Sequence, residues 1–154
     1  MSENLSIWNK VSKSDDRYLK KVSIGARSFT SIDPQYQIRS ATEAFGPVGK
    51  GWSYDVEYKY ITHGDVTMCV AEITIIYWES GEYHKYGPGA GCRTFIHMNQ
   101  PKRGTVINED APKMALTDGL TKGLSHLGFN ADVFLGEHDN KYAAKAKAEG
   151  DWDV

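Results

Sequence analysis

Trp52-Ser53-Tyr54-Asp55-Val56-Glu57-Tyr58-Lys59-Tyr60 places an aromatic or aliphatic residue at every even position and a polar or charged one at every odd position. Strand side chains point alternately to two faces, so this period of two predicts an antiparallel strand with one covered face. The chain downstream extends the pattern. His63-Gly64-Asp65 forms a turn, and Val66 to Trp78 forms a second strand, near-continuously apolar from Val70 to Tyr77 and therefore central. Ser80-Gly81 turns the chain again into a third strand, Tyr83 to Thr94, interrupted by Gly87-Pro88-Gly89-Ala90-Gly91. Glycines inside a strand mark a bulge or a close backbone approach more often than a phosphate cradle. The framework is a three-stranded antiparallel meander.

Helices flank it. Upstream, Asp33 can cap free amides and Pro34 suits a first helical turn, so a helix is expected through Phe45. Ile38, Ala41 and Phe45, with Ala44, form its buried stripe. Gly46-Pro47 ends that helix, and Gly49-Lys50-Gly51 reads as a mobile loop. Before it come a strand over 21–30 and, at 5–21, a short helix or turn. Downstream, a polar basic loop (Asn99-Gln100-Pro101-Lys102-Arg103-Gly104) leads to a second helix starting near Glu109-Asp110-Ala111-Pro112. Acids and a proline suit that terminus. Met114, Leu116, Leu120, Leu124 and Leu127 supply its apolar face, and Gly128 ends it. Residues 137–149 are rich in alanine and lysine and read as a further helix. The whole is an α+β fold: one domain over 1–149 and an acidic tail at 150–154, with Trp152 exposed or docked.

Composition bounds the function. The 154 residues are 40% hydrophobic and 25% charged, ordinary for one globular domain. No apolar run is long enough for a membrane span, and the N-terminus has no secretory core, so a cytoplasmic protein is expected. Cys69 and Cys92 lack CxxC spacing, and reduced thiols are a better reading than a structural pair. The net charge of −2 hides an asymmetry: residues 1–50 carry eight Lys/Arg against five Asp/Glu, whereas 51–100 carry three against six. Any polyanion site must therefore be local.

Catalytic patterns are missing. His63, His84, His97, His126 and His138 make no short metal-binding spacing, and neither GxSxG nor GxxxxGK[ST] occurs. Glu109/Asp110 read as helix-start residues rather than as an acid/base pair. The residues predict no metal, no cofactor and no enzyme.

Thr117-Asp118-Gly119-Leu120-Thr121-Lys122-Gly123-Leu124-Ser125-His126-Leu127-Gly128 closely resembles the "TDGLKRALRxFG" helix of the RAD-fifty-two superfamily. These are eukaryotic strand-annealing proteins with counterparts among phage recombination proteins of the Sak, Erf and Red beta kind. Ala41-Thr42-Glu43-Ala44-Phe45-Gly46 followed by Gly51-Trp52 is similar to that family's "ANExFGxxGW". Ser80-Gly81-Glu82-Tyr83-His84 followed by the glycines at 87–91 is similar to its "DGSYHxxxGxG". The three matches occur in family order and cover roughly residues 20–142. Trp8-Asn9-Lys10 and Asp33-Pro34-Gln35-Tyr36-Gln37-Ile38 look most like a phage member.

The resemblance implies a β-β-β-α core whose copies pack side by side into a ring or helical filament. A cationic outer groove would hold DNA by its backbone, leaving bases free to pair. Implied partners are single-stranded DNA, the annealed duplex intermediate, further copies of the chain, and an exonuclease or host single-strand-binding protein. The implied setting is a bacterial cytoplasm, with no membrane. Site residues transfer unevenly. The family's basic residue after "DGL" falls on Thr121, with Lys122 one position on, and its next arginine falls on Ser125. In the first helix its basic residue falls on Tyr36, with Arg39 on nearly the same face. Lys102 and Arg103 lie where the family carries lysines. Arg39, Lys102, Arg103 and Lys122 are thus the expected phosphate contacts, with Thr121 and Tyr36 beside them. Lys50 and Lys113 are further candidates for which a solvated surface charge is the plainer reading. Trp52, Tyr54, Tyr58 and Tyr60 could stack bases, but strand spacing favours sheet or subunit packing. Two alternatives stand beside annealing: a passive single-strand binder, and a small metal-dependent nuclease.

Overall fold

A computed structural model describes residues 3–139; from residue 140 onward, the expected last helix and the acidic tail lie outside the described residues. The elements are α1 (Ser6–Val11), β1 (Leu19–Ile24), β2 (Arg27–Ile32), α2 (Pro34–Phe45), β3 (Trp52–His63), β4 (Val66–Glu79), β5 (Glu82–Gln100), β6 (Gly104–Ile107), α3 (Ala111–His126) and α4 (Ala131–Phe134). They fall into two compact units. One comprises Phe45–His126, and the other comprises the residues up to Ala44 with those from Leu127.

Phe45–His126 holds the meander. Its sheet is antiparallel in the order β3-β4-β5-β6, so the expected three strands gain a fourth. The loop expected at 99–104 is a tight turn, closed by Arg103 N–H donating to the Gln100 carbonyl at 3.2 Å, and β6 pairs back on β5. β5 does not stop at Thr94 but continues to Gln100. The β4–β5 turn has Ser80 and Gly81 both at positive φ, +53° and +82°. That is the geometry of a two-residue turn whose twist matches the flanking strands. The supposed mobile loop at 49–51 is hydrogen-bonded: Lys50 and Gly51 N–H both donate to the Pro47 carbonyl, at 3.0 and 2.8 Å.

Register decides which face is covered. Tyr54 pairs with Ile75, Val56 with Ile73 and Tyr58 with Ala71, so the even residues of β3 share a face with the odd residues of β4. Cys69, Ala71, Ile73 and Ile75 on that face are buried beneath α3, which packs on β4 and β5. β3 lies at the sheet edge, where Tyr58 and Tyr60 stay exposed. Cys69 and Cys92 are free thiols. Cys92 is the register partner of Val70, not of Cys69, so the thiols point to opposite faces and cannot pair.

The expected apolar face of α3 needs correction. Met114 is 38% exposed and Leu116 only half-buried. Leu120 and Leu124 are buried as expected, but the rest of the buried stripe is Ala111, Ala115, Gly119 and Gly123. The reason is proximity. A Cβ on Gly91 would overlap the Ala115 carbonyl oxygen, and one on Gly119 would lie 2.7 Å from Ile73 Cγ1. One on Gly123 would lie 2.7 Å from Ile75 Cδ1. Small residues four apart bring helix backbone onto strand backbone, and Leu120 and Leu124 are buried beside that row.

In the other unit, the strand expected over 21–30 is a hairpin. Gly25, at φ +61°, turns the chain, and Ile24 pairs with Arg27. The start of α2 is as expected: Asp33 Oδ1 accepts the Gln35 N–H at 2.8 Å. Its buried residues are Gln37, Ala41 and Phe45, with Ile38 and Ala44 only half-buried. Asp132 on α4 accepts from Ser14 N–H at 2.9 Å and Ser14 Oγ at 2.6 Å, which ties α4 to the segment before β1. Burial pushes the Asp132 carboxyl up, but hydrogen bonds from Ser14 and His138 outweigh it and leave it below the usual range. No helix among the described residues is long and apolar enough to cross a membrane.

Candidate nucleic-acid interface

The residues expected to touch DNA divide between the two units. Tyr36 and Arg39 lie on α2. The Tyr36 ring stacks on Tyr18, with centroids 4.5 Å apart and planes 10° apart, and its hydroxyl accepts the Asp15 N–H at 2.9 Å. Tyr36 is therefore a packing residue with one ring face already covered. Arg39 is exposed but engaged. Nε donates to Glu43 Oε1 at 3.1 Å, one helical turn on, and Nη1 donates to the Tyr18 hydroxyl at 3.2 Å. Glu43 raises the Arg39 pKa further, so the cation is permanent but partly neutralised.

The remaining candidates belong to Phe45–His126, and the fold does not gather them. Lys50 lies in the 47–51 turn, where its carbonyl accepts from the Tyr83 hydroxyl at 2.8 Å. Lys102 and Arg103 lie in the β5–β6 turn and are exposed. Tyr83 is near the start of β5 and Gln100 is its last residue, so these cations lie at opposite ends of a strand path of roughly 55 Å. On α3, Lys113 pairs with Asp110 at 3.6 Å. Lys122 is exposed and Thr121 half-buried. Nine residues separate Lys113 from Lys122, roughly half a turn about the helix axis, so the two face opposite flanks.

Ion pairing sorts these cations. Lys59 bonds Glu72 at 2.9 Å and Arg93 bonds Asp118 at 2.5 Å, both within Phe45–His126. Among the described residues of that unit, Lys50, Lys85, Lys102 and Arg103 make no ion pair. An anion meets these at full charge, whereas it must first displace a carboxylate from Lys59 or Arg93.

Two groups escaped the sequence reading. The first is the β1–β2 hairpin. Residues 17–32 hold Arg17, Lys20, Lys21 and Arg27 and no acid, a signal legible in the sequence. Lys21 is tied to Asp139 at 3.0 Å, while Arg27 lies over the Phe29 ring at 5.4 Å. The second is an aromatic pair at the β4–β5 turn, Trp78 and Tyr83, edge to face at 4.8 Å. The Ser80-Gly81 turn signal was enough to predict their pairing.

No group of three or more His, Cys, Asp or Glu among the described residues could hold a metal ion. No family model matches this chain, and no curated protein matches it either. The functional reading therefore rests on the residues themselves.

Proposed function

We propose that the chain is an ATP-independent single-stranded-DNA-binding and strand-annealing protein of the phage recombination type, working as a homo-oligomer without catalytic chemistry of its own. One observation carries the reading: the parts of the three resembling segments that lie within Phe45–His126 pack against one another. Phe45 and Gly46 abut Gly51 and Trp52, and a Cβ on Gly51 would overlap the Phe45 carbonyl. Phe45 also packs on Tyr77 at 5.1 Å, close to the Ser80–His84 segment. Gly89 and Gly91 in turn lie against Gly123 and Gly119 on α3. The resemblance thus falls on the residues that make the fold close, which is where a shared architecture constrains sequence most.

The dispersed cations fit this reading when copies repeat. Lys50 and Lys85 at one end of β5, and Lys102 and Arg103 at the other, form no single patch within one chain. Side-by-side copies would turn them into rows, and each neutralised phosphate would add to a salt-sensitive affinity. Annealing needs the bases free, so phosphate contacts must dominate over base-edge contacts. The test is annealing of complementary oligonucleotides without ATP or metal. The proposal expects the protein to accelerate it; single-strand binding with no acceleration would reduce the function to passive coating, and shortening of the DNA would point to a nuclease.

A further inference from the structure

Strand alternation sorts the β4–β5 turn into two chemically different faces. Glu79 pairs with Glu82 and Tyr77 with His84, so both acids lie on the side that α3 covers further along the sheet. Trp78 pairs with Tyr83 and Ile76 with Lys85, on the other side. Trp78 is 43% exposed and Tyr83 58%, comparable with Tyr60 at the sheet edge, 53%. Two backbone-anchored bonds bring the 47–51 turn to the same place: Trp78 N–H donates to the Gly51 carbonyl, and the Tyr83 hydroxyl to that of Lys50, each at 2.8 Å. Lys50 and Lys85 make no ion pair among the described residues. The nearest acid in register on that face is Asp55, opposite Thr74.

We propose that Trp78 and Tyr83, flanked by Lys50 and Lys85, form a stacking site for one or two bases of a single-stranded nucleic acid. The inference rests on the proposed function and names a base-contacting site within it. A flat aromatic surface accepts any base by its π-face, and two neighbouring ammonium groups suit the phosphates on either side. The edge-to-face pair is held by the β-turn and by the Tyr83–Lys50 bond, so little ordering is needed on binding. The charge segregation favours a polyanion: the acids of the turn are turned away, and the cations are left with the aromatics.

The experiment uses the full chain and a fluorescent oligothymidylate, with affinity measured across a salt series. Trp78→Leu and Tyr83→Leu should each weaken binding about tenfold, because one stacked base is lost, while leaving the salt slope unchanged. The Lys50→Gln/Lys85→Gln variant should weaken binding and flatten the salt slope. Tyr83→Phe keeps the ring but loses the bond to the Lys50 carbonyl, so it should weaken binding less than Tyr83→Leu does. Melting curves of each variant separate lost contact from lost fold. Independently, photocrosslinking of the unaltered protein to a bromodeoxyuridine-substituted strand should attach at Trp78 or Tyr83. If the parent binds and anneals but the leucine variants bind equally well and the crosslink maps elsewhere, this site is overturned and the proposed function survives. If the parent binds no single strand, both fall. If Trp78→Leu instead abolishes self-association of the protein in the absence of DNA, the patch is a contact between copies and the site is again overturned.

Discussion

Gly91→Ala is the sharpest probe of how α3 sits on the sheet. The added Cβ would overlap the Ala115 carbonyl oxygen and the Gly119 amide nitrogen, both backbone atoms that no side-chain rotation can move. The helix must therefore lift or the strand bend. Overpacking of a close-packed interior costs about 1–3 kcal/mol, occasionally more, and here the upper end applies because backbone must yield. For a protein of this size that is a fall in Tm of roughly 6–12 °C. Neighbouring glycines supply the control. A Cβ on Gly89 meets nothing closer than 3.8 Å, so Gly89→Ala should stay within about 0.5 kcal/mol of the parent. Gly123→Ala meets the flexible end of Ile75 and gains about 1 kcal/mol of helix propensity, so it should be close to neutral. Gly119→Ala should fall between, since its obstacle is Ile73 Cγ1 with the Gly91 nitrogen behind it at 3.1 Å. Urea and thermal unfolding of the four variants give the order. Gly91→Ala melting with the parent, or Gly89→Ala melting well below it, would refute the backbone contact.

Three further predictions concern charge. Asp139 is held at about 2 by hydrogen bonds from Thr30 and Lys21, below its ordinary 3.8. A lowered carboxyl stabilises the fold above the ordinary value and loses that stabilisation as pH falls towards about 2. Asp139→Asn should therefore show a shallower loss of Tm on acidification than the parent; parallel profiles would contradict the contact. Replacing Lys102 and Arg103 by glutamine should each lower the slope of log affinity against log salt by about 0.7 for single-stranded DNA, and an unchanged slope would remove them from the phosphate track. The Arg93–Asp118 pair is short, but its side chains are 42% and 38% exposed. A double-mutant cycle should give a coupling below about 1 kcal/mol, and a several-fold larger value would mean the pair is far better shielded from water than its exposure indicates.

The framework was legible because its signals are local. Alternation over 52–60 and the Ser80-Gly81 turn determine strand identity and pairing, and Asp33-Pro34 announces a helix start wherever the helix ends up. The β1–β2 hairpin was missed because Gly25 falls inside a plausible alternating run, and one glycine reads equally as a weak spot or a turn. The buried face of α3 was anticipated only at Leu120 and Leu124, because hydrophobic periodicity weights leucine and methionine, whereas close approach selects alanine and glycine. The site was less legible for a different reason. Whether cations gather depends on strand length and register, and the glycines of 87–91 disguised the fact that β5 runs on to Gln100. Arg39 and Glu43 stand four apart on a helix, so their pairing could have been anticipated from spacing alone.

The central claim is that a few cations per copy become a phosphate track only when copies repeat. Sedimentation of the protein at low salt, alone and with a long single strand, tests it most directly. The account predicts species many times the 17.2 kDa monomer, with DNA bound in proportion to the number of copies. A protein that stays monomeric both alone and on DNA would contradict it.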